Sequence, residues 1–189
     1  MFENLIDVLK KNPRKIVYTE GTDARILESA ARLKKDGFLT PVLVGNADAV
    51  KAAAKKGGFD IDGLEIIDPD NYDRFDEMVA KMVELRKGKM TPEECAANLK
   101  KSNYFGTMLV KLGVADALLG GATYSTADTI RPALQIVKTK KGAHLVSSCF
   151  LLVKGDEKLV MGDCAVNIDY QDSKDKEGNV TVTAADKLS

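Results

Sequence analysis

The chain has 189 residues, room for one domain and part of a second, and its 44% hydrophobic and 30% charged residues are the balance of a globular protein. Formal net charge is zero, from 28 basic and 28 acidic residues, which excludes a global basic field for nucleic acid, and no basic stripe interleaves with aromatics. No apolar run reaches membrane-spanning length, and Glu3 and Asp7 interrupt the N-terminal apolar residues where a signal peptide would have its core.

Phe2, Leu5, Ile6 and Leu9 recur at helical spacing and predict an opening amphipathic helix. Residues 15–18 read as a buried strand and run into Thr19-Glu20-Gly21-Thr22-Asp23. The next helix carries Ile26, Leu27, Ala30, Ala31 and Leu33 and stops at Gly37. This is the first strand-to-helix junction of an α/β unit, where ligands bind in open sheets. Glu20 reads as a solvated loop carboxylate, with a functional acid as the other reading. A strand over 39–44, an alanine-rich helix over 46–56 ended by Gly57-Gly58, and a strand over 64–67 follow. The alternation predicts a mainly parallel sheet covered on both faces, a three-layer αβα domain.

Residues 71–87 form a helical pattern with Tyr72, Phe75, Met78, Val79, Met82 and Leu85 on its apolar face, ended by Gly88. Arg86 falls in its last turn, where a cation suits the helix dipole. Thr91-Pro92-Glu93-Glu94 is a capping box that starts another helix. Tyr104, Phe105, Met108, Leu109 and Leu112 mark one more, stopped by Gly113, and their bulk reads as core. Ala117-Leu118-Leu119 is a short strand.

Gly120 to Gln135, reading GGATYSTADTIRPALQ, is a glycine- and hydroxyl-rich loop leading into a helix. Such a junction presents backbone N–H groups and the positive end of a helix dipole. The hydroxyls of Tyr124, Ser125, Thr126 and Thr129 crowd the same few residues. Pro132 fits best in a first helical turn, which puts the N-cap near Asp128 or Thr129 and Arg131 in that first turn. A cation there opposes the dipole and points to a bound anion. An ordinary capped helix, with Asp128 as counter-ion of Arg131, fits the same residues.

After residue 141 the texture changes. Residues 144–153 and 158–164 predict an antiparallel hairpin around Lys154-Gly155-Asp156-Glu157, the start of a second domain spanning 141–189 after a first over 1–140. His144, Cys149 and Cys164 read as structural there, and Asp163 and Asn167 as turn or cleft residues. Residues 171–178 read as an exposed loop, Val180-Thr181-Val182 as an extended segment, and Thr183 to Asp186 as a helix start. The three cysteines, with Cys95, are widely spaced and odd in number, which fits a reducing cytoplasm. No Cys/His cluster suggests a metal, and neither a Walker loop nor a GxGxxG is present.

Thr126-Ala127-Asp128-Thr129-Ile130-Arg131-Pro132-Ala133-Leu134-Gln135 resembles the signature of the phosphate acetyltransferases. The block from Val17 to Asp23 with Arg25-Ile26-Leu27, Glu84-Leu85-Arg86, Asn103 to Met108, and Gly162 to Asn167 resemble that family in its order. The resemblance covers residues 1 to about 168. It implies an isocitrate/isopropylmalate dehydrogenase-like α/β domain with a second α/β domain beside it, and a reversible transfer of acetyl between acetyl phosphate and coenzyme A. Coenzyme A and acetyl phosphate are then the small-molecule partners, with no metal or redox cofactor, in a cytoplasmic homodimer. Ser125, Thr126, Thr129 and Arg131 are implied as the phosphate side of the cleft, with Arg86 toward coenzyme A. The serine, arginine and aspartate credited in the family with thiol positioning, charge stabilisation and proton removal are expected outside these residues. The chain is thus expected to be an N-terminal fragment, inactive alone. A phosphate butyryltransferase and a non-catalytic ligand-binding fragment are the alternatives.

Overall fold

A computed structural model describes residues 2–143, 145–167 and 171–185. Two compact units make up the chain, Phe2–Val137 and Lys138–Ser189. In the first, α1 (Phe2–Lys11), β1 (Lys15–Tyr18), α2 (Ala24–Asp36), β2 (Thr40–Val44), α3 (Ala47–Gly57) and β3 (Glu65–Ile67) alternate. Three successive helices follow, α4 (Phe75–Arg86), α5 (Pro92–Leu99) and α6 (Ser102–Lys111). The unit closes with β4 (Ala117–Leu119), α7 (Thr126–Pro132) and a π-helical turn over Ala133–Val137.

The four strands are parallel in the order β3-β2-β1-β4. Successive strand residues point to opposite faces. Val17, Val42 and Val44 accordingly enter one core with Met78, Met82, Phe105 and Met108, while Tyr18 and Leu43 enter another with Leu27, Ala30, Val50 and Ala54. Helices cover both faces, which is why the strands read as unbroken apolar runs. The expected three-layer α/β architecture is therefore present.

Local signals set most element ends. The Asp23 and Asn46 side chains cap α2 and α3, and Gly37 and Gly58 close them in the left-handed region. The capping box forms as expected: Thr91 Oγ1 accepts from Glu94 N (3.2 Å), and Glu94 Oε2 accepts from Thr91 N (2.8 Å). The helix expected from residue 71 instead begins at Phe75. Asp68 captures the preceding segment, accepting from Asp70 N (3.0 Å) and Asn71 Nδ2 (2.9 Å). Tyr72 still reaches the core, edge-on to Phe105 at 5.3 Å.

In the second unit β5 (Cys149–Lys154) and β6 (Glu157–Gly162) form the expected antiparallel hairpin. Its two-residue connection starts with Gly155 at φ 59°, a conformation such loops favour. The expected loop over 171–178 contains a short strand, β7 (Ser173–Lys174), paired with β8 (Val180–Val182). Asp175 draws them together by accepting from Asn179 N (2.9 Å) and Asn179 Nδ2 (3.0 Å). Asp163 takes the turn role: it accepts from Ser148 N (3.1 Å), the Ser148 hydroxyl, Ala165 N (2.9 Å), Val166 N (3.0 Å) and Asn167 Nδ2 (2.7 Å). Cys149 is exposed and Cys164 half-buried. His144 lies outside the described residues, as does the part beyond residue 185 of the helix expected from Thr183.

Candidate functional site

The loop between β4 and α7 is held from the end of the neighbouring strand, β1. Glu20, just after the end of β1, is 8% exposed. Its Oε2 accepts from Gly121 N (3.0 Å) and Ala122 N (3.1 Å). Its Oε1 accepts from Thr123 Oγ1 (2.7 Å), Tyr124 N (3.2 Å) and Thr123 N. Four consecutive backbone amides thus converge on one carboxylate. The sequence alone leaves these amides open to a ligand and Glu20 in solvent; both expectations are corrected here. Parallel pairing of β1 with β4 brings the two loops side by side, and a carboxylate is the natural occupant of such a nest. Arg25 Nη2 adds a hydrogen bond to the Ala122 carbonyl (2.8 Å) and also pairs with Asp23 (2.8 Å).

Burial alone would raise the Glu20 pKa. The Thr123 hydroxyl and the Thr123, Ala122 and Gly121 amides outweigh burial and hold it below the usual carboxylate value of 4.5. A carboxyl with a depressed folded pKa contributes stability above its unfolded value and loses it as pH falls through the folded one. The loop is therefore expected to stay clamped at neutral pH and release in acid below about pH 4.5. Amide hydrogen exchange at 121–124 measured down a pH series, corrected for intrinsic rates, checks this. Protection indifferent to acid would contradict it.

The helix start is also corrected. The N-cap is Ser125, whose Oγ accepts from Asp128 N (3.1 Å) and donates to Asp128 Oδ2 (2.7 Å). Pro132 ends α7 and Arg131 lies in its last turn, where a cation suits the helix dipole and does not oppose it. A proline at that position removes the N–H that would bond the Asp128 carbonyl four residues back. Asn103 Nδ2, on α6, supplies the missing donor at 2.8 Å. The chain then continues in the wider turn of Ala133–Val137.

This pairing is open to test. Asn103→Ala is expected to cost about 1–2 kcal/mol, since it strands a half-buried carbonyl. Adding Pro132→Ala restores a backbone donor and is expected to recover most of that loss. Urea melts of the double-mutant cycle read the coupling. Strictly additive losses would contradict it.

The first turn of α6 is the wall against which this segment sits. The Ser102 and Tyr124 hydroxyls share a 2.6 Å hydrogen bond, and Tyr104 donates to Gln135 Oε1 at 3.0 Å. Tyr104 is 7% exposed. Burial raises its pKa, the nearby positive charges of Arg131 and Arg86 pull it down, and Asp128 pushes it up. Arg86 Nε donates to the Met90 sulfur (3.2 Å), a soft and uncharged partner. Among the described residues Arg131 has only a 4.0 Å approach to Asp128, and its side chain is 59% exposed, so solvent screens the pair.

The structure places Ser125 and Thr129 in local capping and leaves Arg86 and Arg131 at the last turns of two different helices. Thr129 Oγ1 donates to the Ser125 carbonyl (3.1 Å). Thr126 is exposed in the first turn of α7. Arg86 suits the helix end it occupies, as its position in the sequence indicates. Asn103 and Ser102 carry no local signal of their tasks, beyond the placement of Asn103 in a family block. At the C-terminal ends of β1 and β2 lies an open cavity of about 440 Å³, lined by Thr19 to Asp23, Val44, Gly45, Ser102, Thr123 and Tyr124. Its two carboxylates, Glu20 and Asp23, make it a poor phosphate cradle.

A family model described as phosphate acetyl/butaryl transferase matches residues 1–189. The phosphate acetyltransferase of Staphylococcus epidermidis is 47% identical over 163 residues, covering 86% of this chain and 50% of that protein. That of Bacillus subtilis is 47% identical over 161 residues, covering 85% and 50%. The chain therefore spans about half the length of the curated relatives it matches. Among solved structures, the EutD phosphotransacetylase from Staphylococcus aureus superposes with a TM-score of 0.81 at 44% identity, over 90% of this chain and 52% of that one. A phosphotransacetylase from Streptococcus pyogenes does so with a TM-score of 0.82 at 44% identity, over 90% and 54%. With its family model matched from end to end, this chain belongs to the phosphate acetyl/butaryl transferase family.

Proposed function

We propose that the chain takes part in reversible acetyl transfer between acetyl phosphate and coenzyme A, and that its share is to bind the phosphate-bearing ends of the substrates. The observation that carries this reading is the weak local pairing of Arg86 and Arg131 among the described residues. Arg86 donates to a sulfur and Arg131 keeps only a distant, solvated carboxylate, so both guanidiniums suit phosphate oxygens, which they meet with paired N–H donors. Ser125, Thr126 and Thr129 line the adjoining turn and are proposed to position the same anion.

In the reaction a base takes the thiol proton, the thiolate attacks the acetyl carbon, and phosphate leaves with the electron pair of the broken C–O bond. Cationic side chains at the phosphate favour the state in which that charge develops. The exchange moves no electrons between substrates, so the reading includes no redox cofactor. Acetyl is preferred to butyryl because the relatives named above are acetyltransferases. A cytoplasmic location and a homodimer accompany the reading. The exposed apolar residues of the β5–β6 hairpin, Phe150, Leu151, Leu159 and Val160 among them, support a surface that assembly covers.

The test is acetyl-coenzyme A formation from acetyl phosphate and coenzyme A, followed beside calorimetric titration of the same purified chain. Binding without turnover is expected. Turnover would place the full catalytic set in this chain and overturn the division of labour. Failure of a folded chain to bind coenzyme A would overturn the reading itself.

A further inference from the structure

We propose that Glu20 is a positioning residue for this site: its carboxylate fills the anion nest of the β4–α7 loop and thereby sets where α7 presents Arg131. The substrate phosphate, on this proposal, binds beside the loop through side chains and not within its row of amides.

The geometry is specific. Amides 121, 122, 123 and 124 and the Thr123 hydroxyl all donate to Glu20, which uses both of its oxygens. The next residue, Ser125, caps α7, and the following turns carry Asp128 and Arg131. Nothing but the rigid peptide chain separates the clamped amides from that cap. On the other side, Glu20 sits two residues beyond β1, a central strand that pairs with both β2 and β4. Moving the carboxylate therefore moves the loop, and through Ser125 it moves the helix. Tyr124 and Asn103 tie the same segment to α6, so displacement is expected to turn α7 about those contacts without releasing it from the unit.

An alternative role for the same amides is a phosphate cradle with Glu20 as a placeholder that substrate displaces. The two differ in a measurable way. With Glu20 resident, inorganic phosphate leaves the 121–124 amide resonances of the wild-type chain in place.

The experiment uses amide-resolved NMR of the full 189-residue chain and calorimetric titration with coenzyme A. Glu20→Gly removes the carboxylate and leaves space for a small one from solution. Large shifts of the four amide resonances are expected, with a loss of coenzyme A affinity of about tenfold or more. Added formate, which leaves the wild type unchanged, is expected to restore both. A purely structural loss of stability is not repaired by a small anion. If Glu20→Gly does not fold, Glu20→Gln keeps the size and one acceptor; the Gly121 and Ala122 resonances are then expected to shift, because an amide NH2 now faces them. Unchanged amides in a folded variant, no effect of formate, or millimolar phosphate shifting 121–124 in the wild type would each overturn the proposal. The proposal rests on the anion-site reading only for the affinity change. Amides that respond to Glu20→Gly and formate, with no coenzyme A binding by the wild type, would uphold the clamp and sink that reading instead.

Discussion

Arg131→Ala is expected to weaken coenzyme A binding by about 10- to 100-fold while leaving the fold intact. A charge-assisted hydrogen bond contributes about 1.5–3 kcal/mol, which is that range of affinity. The fold is spared because the side chain is 59% exposed and its pairing with Asp128 is a 4.0 Å contact open to solvent. Removing it strips no core contact and strands no buried partner. Asp128 keeps its other contacts, accepting from Ser125 Oγ and offering its carbonyl to Asn103. Arg131→Lys is expected to recover only part of the loss, since a single ammonium lacks the fork that grips two phosphate oxygens. Unchanged affinity in Arg131→Ala, with an unchanged melting curve, would remove Arg131 from the site.

Gly106→Val is expected to destabilise the first unit by about 1–2 kcal/mol and to reduce ligand binding with it. A Cβ at Gly106 would lie 2.8 Å from Thr19 Cγ2, 3.0 Å from Leu118 Cδ1 and 3.1 Å from Val17 Cγ1. Those atoms belong to β1, β4 and the loop just after β1, so the helix axis can approach the sheet only where this residue has no side chain. Replacing a mid-helix glycine returns about 0.5–1 kcal/mol of backbone entropy. Overpacking a filled core costs about 1–3 kcal/mol, and more for a branched side chain with nowhere to turn, so the cost wins. The same shift carries Ser102, Asn103 and Tyr104 away from Tyr124, Asp128 and Gln135. Urea midpoints at constant slope measure the first effect, and coenzyme A titration the second. A Gly106→Val variant as stable as the wild type would mean that α6 does not seat on the sheet through this gap.

The fold was legible because its signals are local or periodic. Val17-Tyr18 and Val42-Leu43-Val44 are apolar on successive residues, which requires cover on both faces. Asp23, Asn46 and the Thr91–Glu94 box announce helix starts within a few residues of where they act. The start of α4 escapes such reading because Asp68, itself outside the helical pattern, competes for residues 70 and 71.

The site was legible in composition and not in wiring. Its hydroxyls and Arg131 stand together in the chain, but what decides their roles comes from far along it. Glu20 and Asn103 are remote from the loop and helix they satisfy, and no periodicity connects them to Gly121 or Pro132. Pro132 points to a helix start for a sound reason, its missing donor. The structure solves the same problem with a side chain from α6. Only the three-dimensional arrangement distinguishes those two solutions.

The most direct measurement is a double-mutant cycle on coenzyme A affinity, titrating the wild-type chain beside Arg86→Ala, Arg131→Ala and the double variant. If both guanidiniums grip one phosphate group, each single change loses affinity about tenfold or more, and the double change loses less than the product of the two. Affinity indifferent to either arginine, or losses that multiply as independent sites do, would contradict a shared anion site.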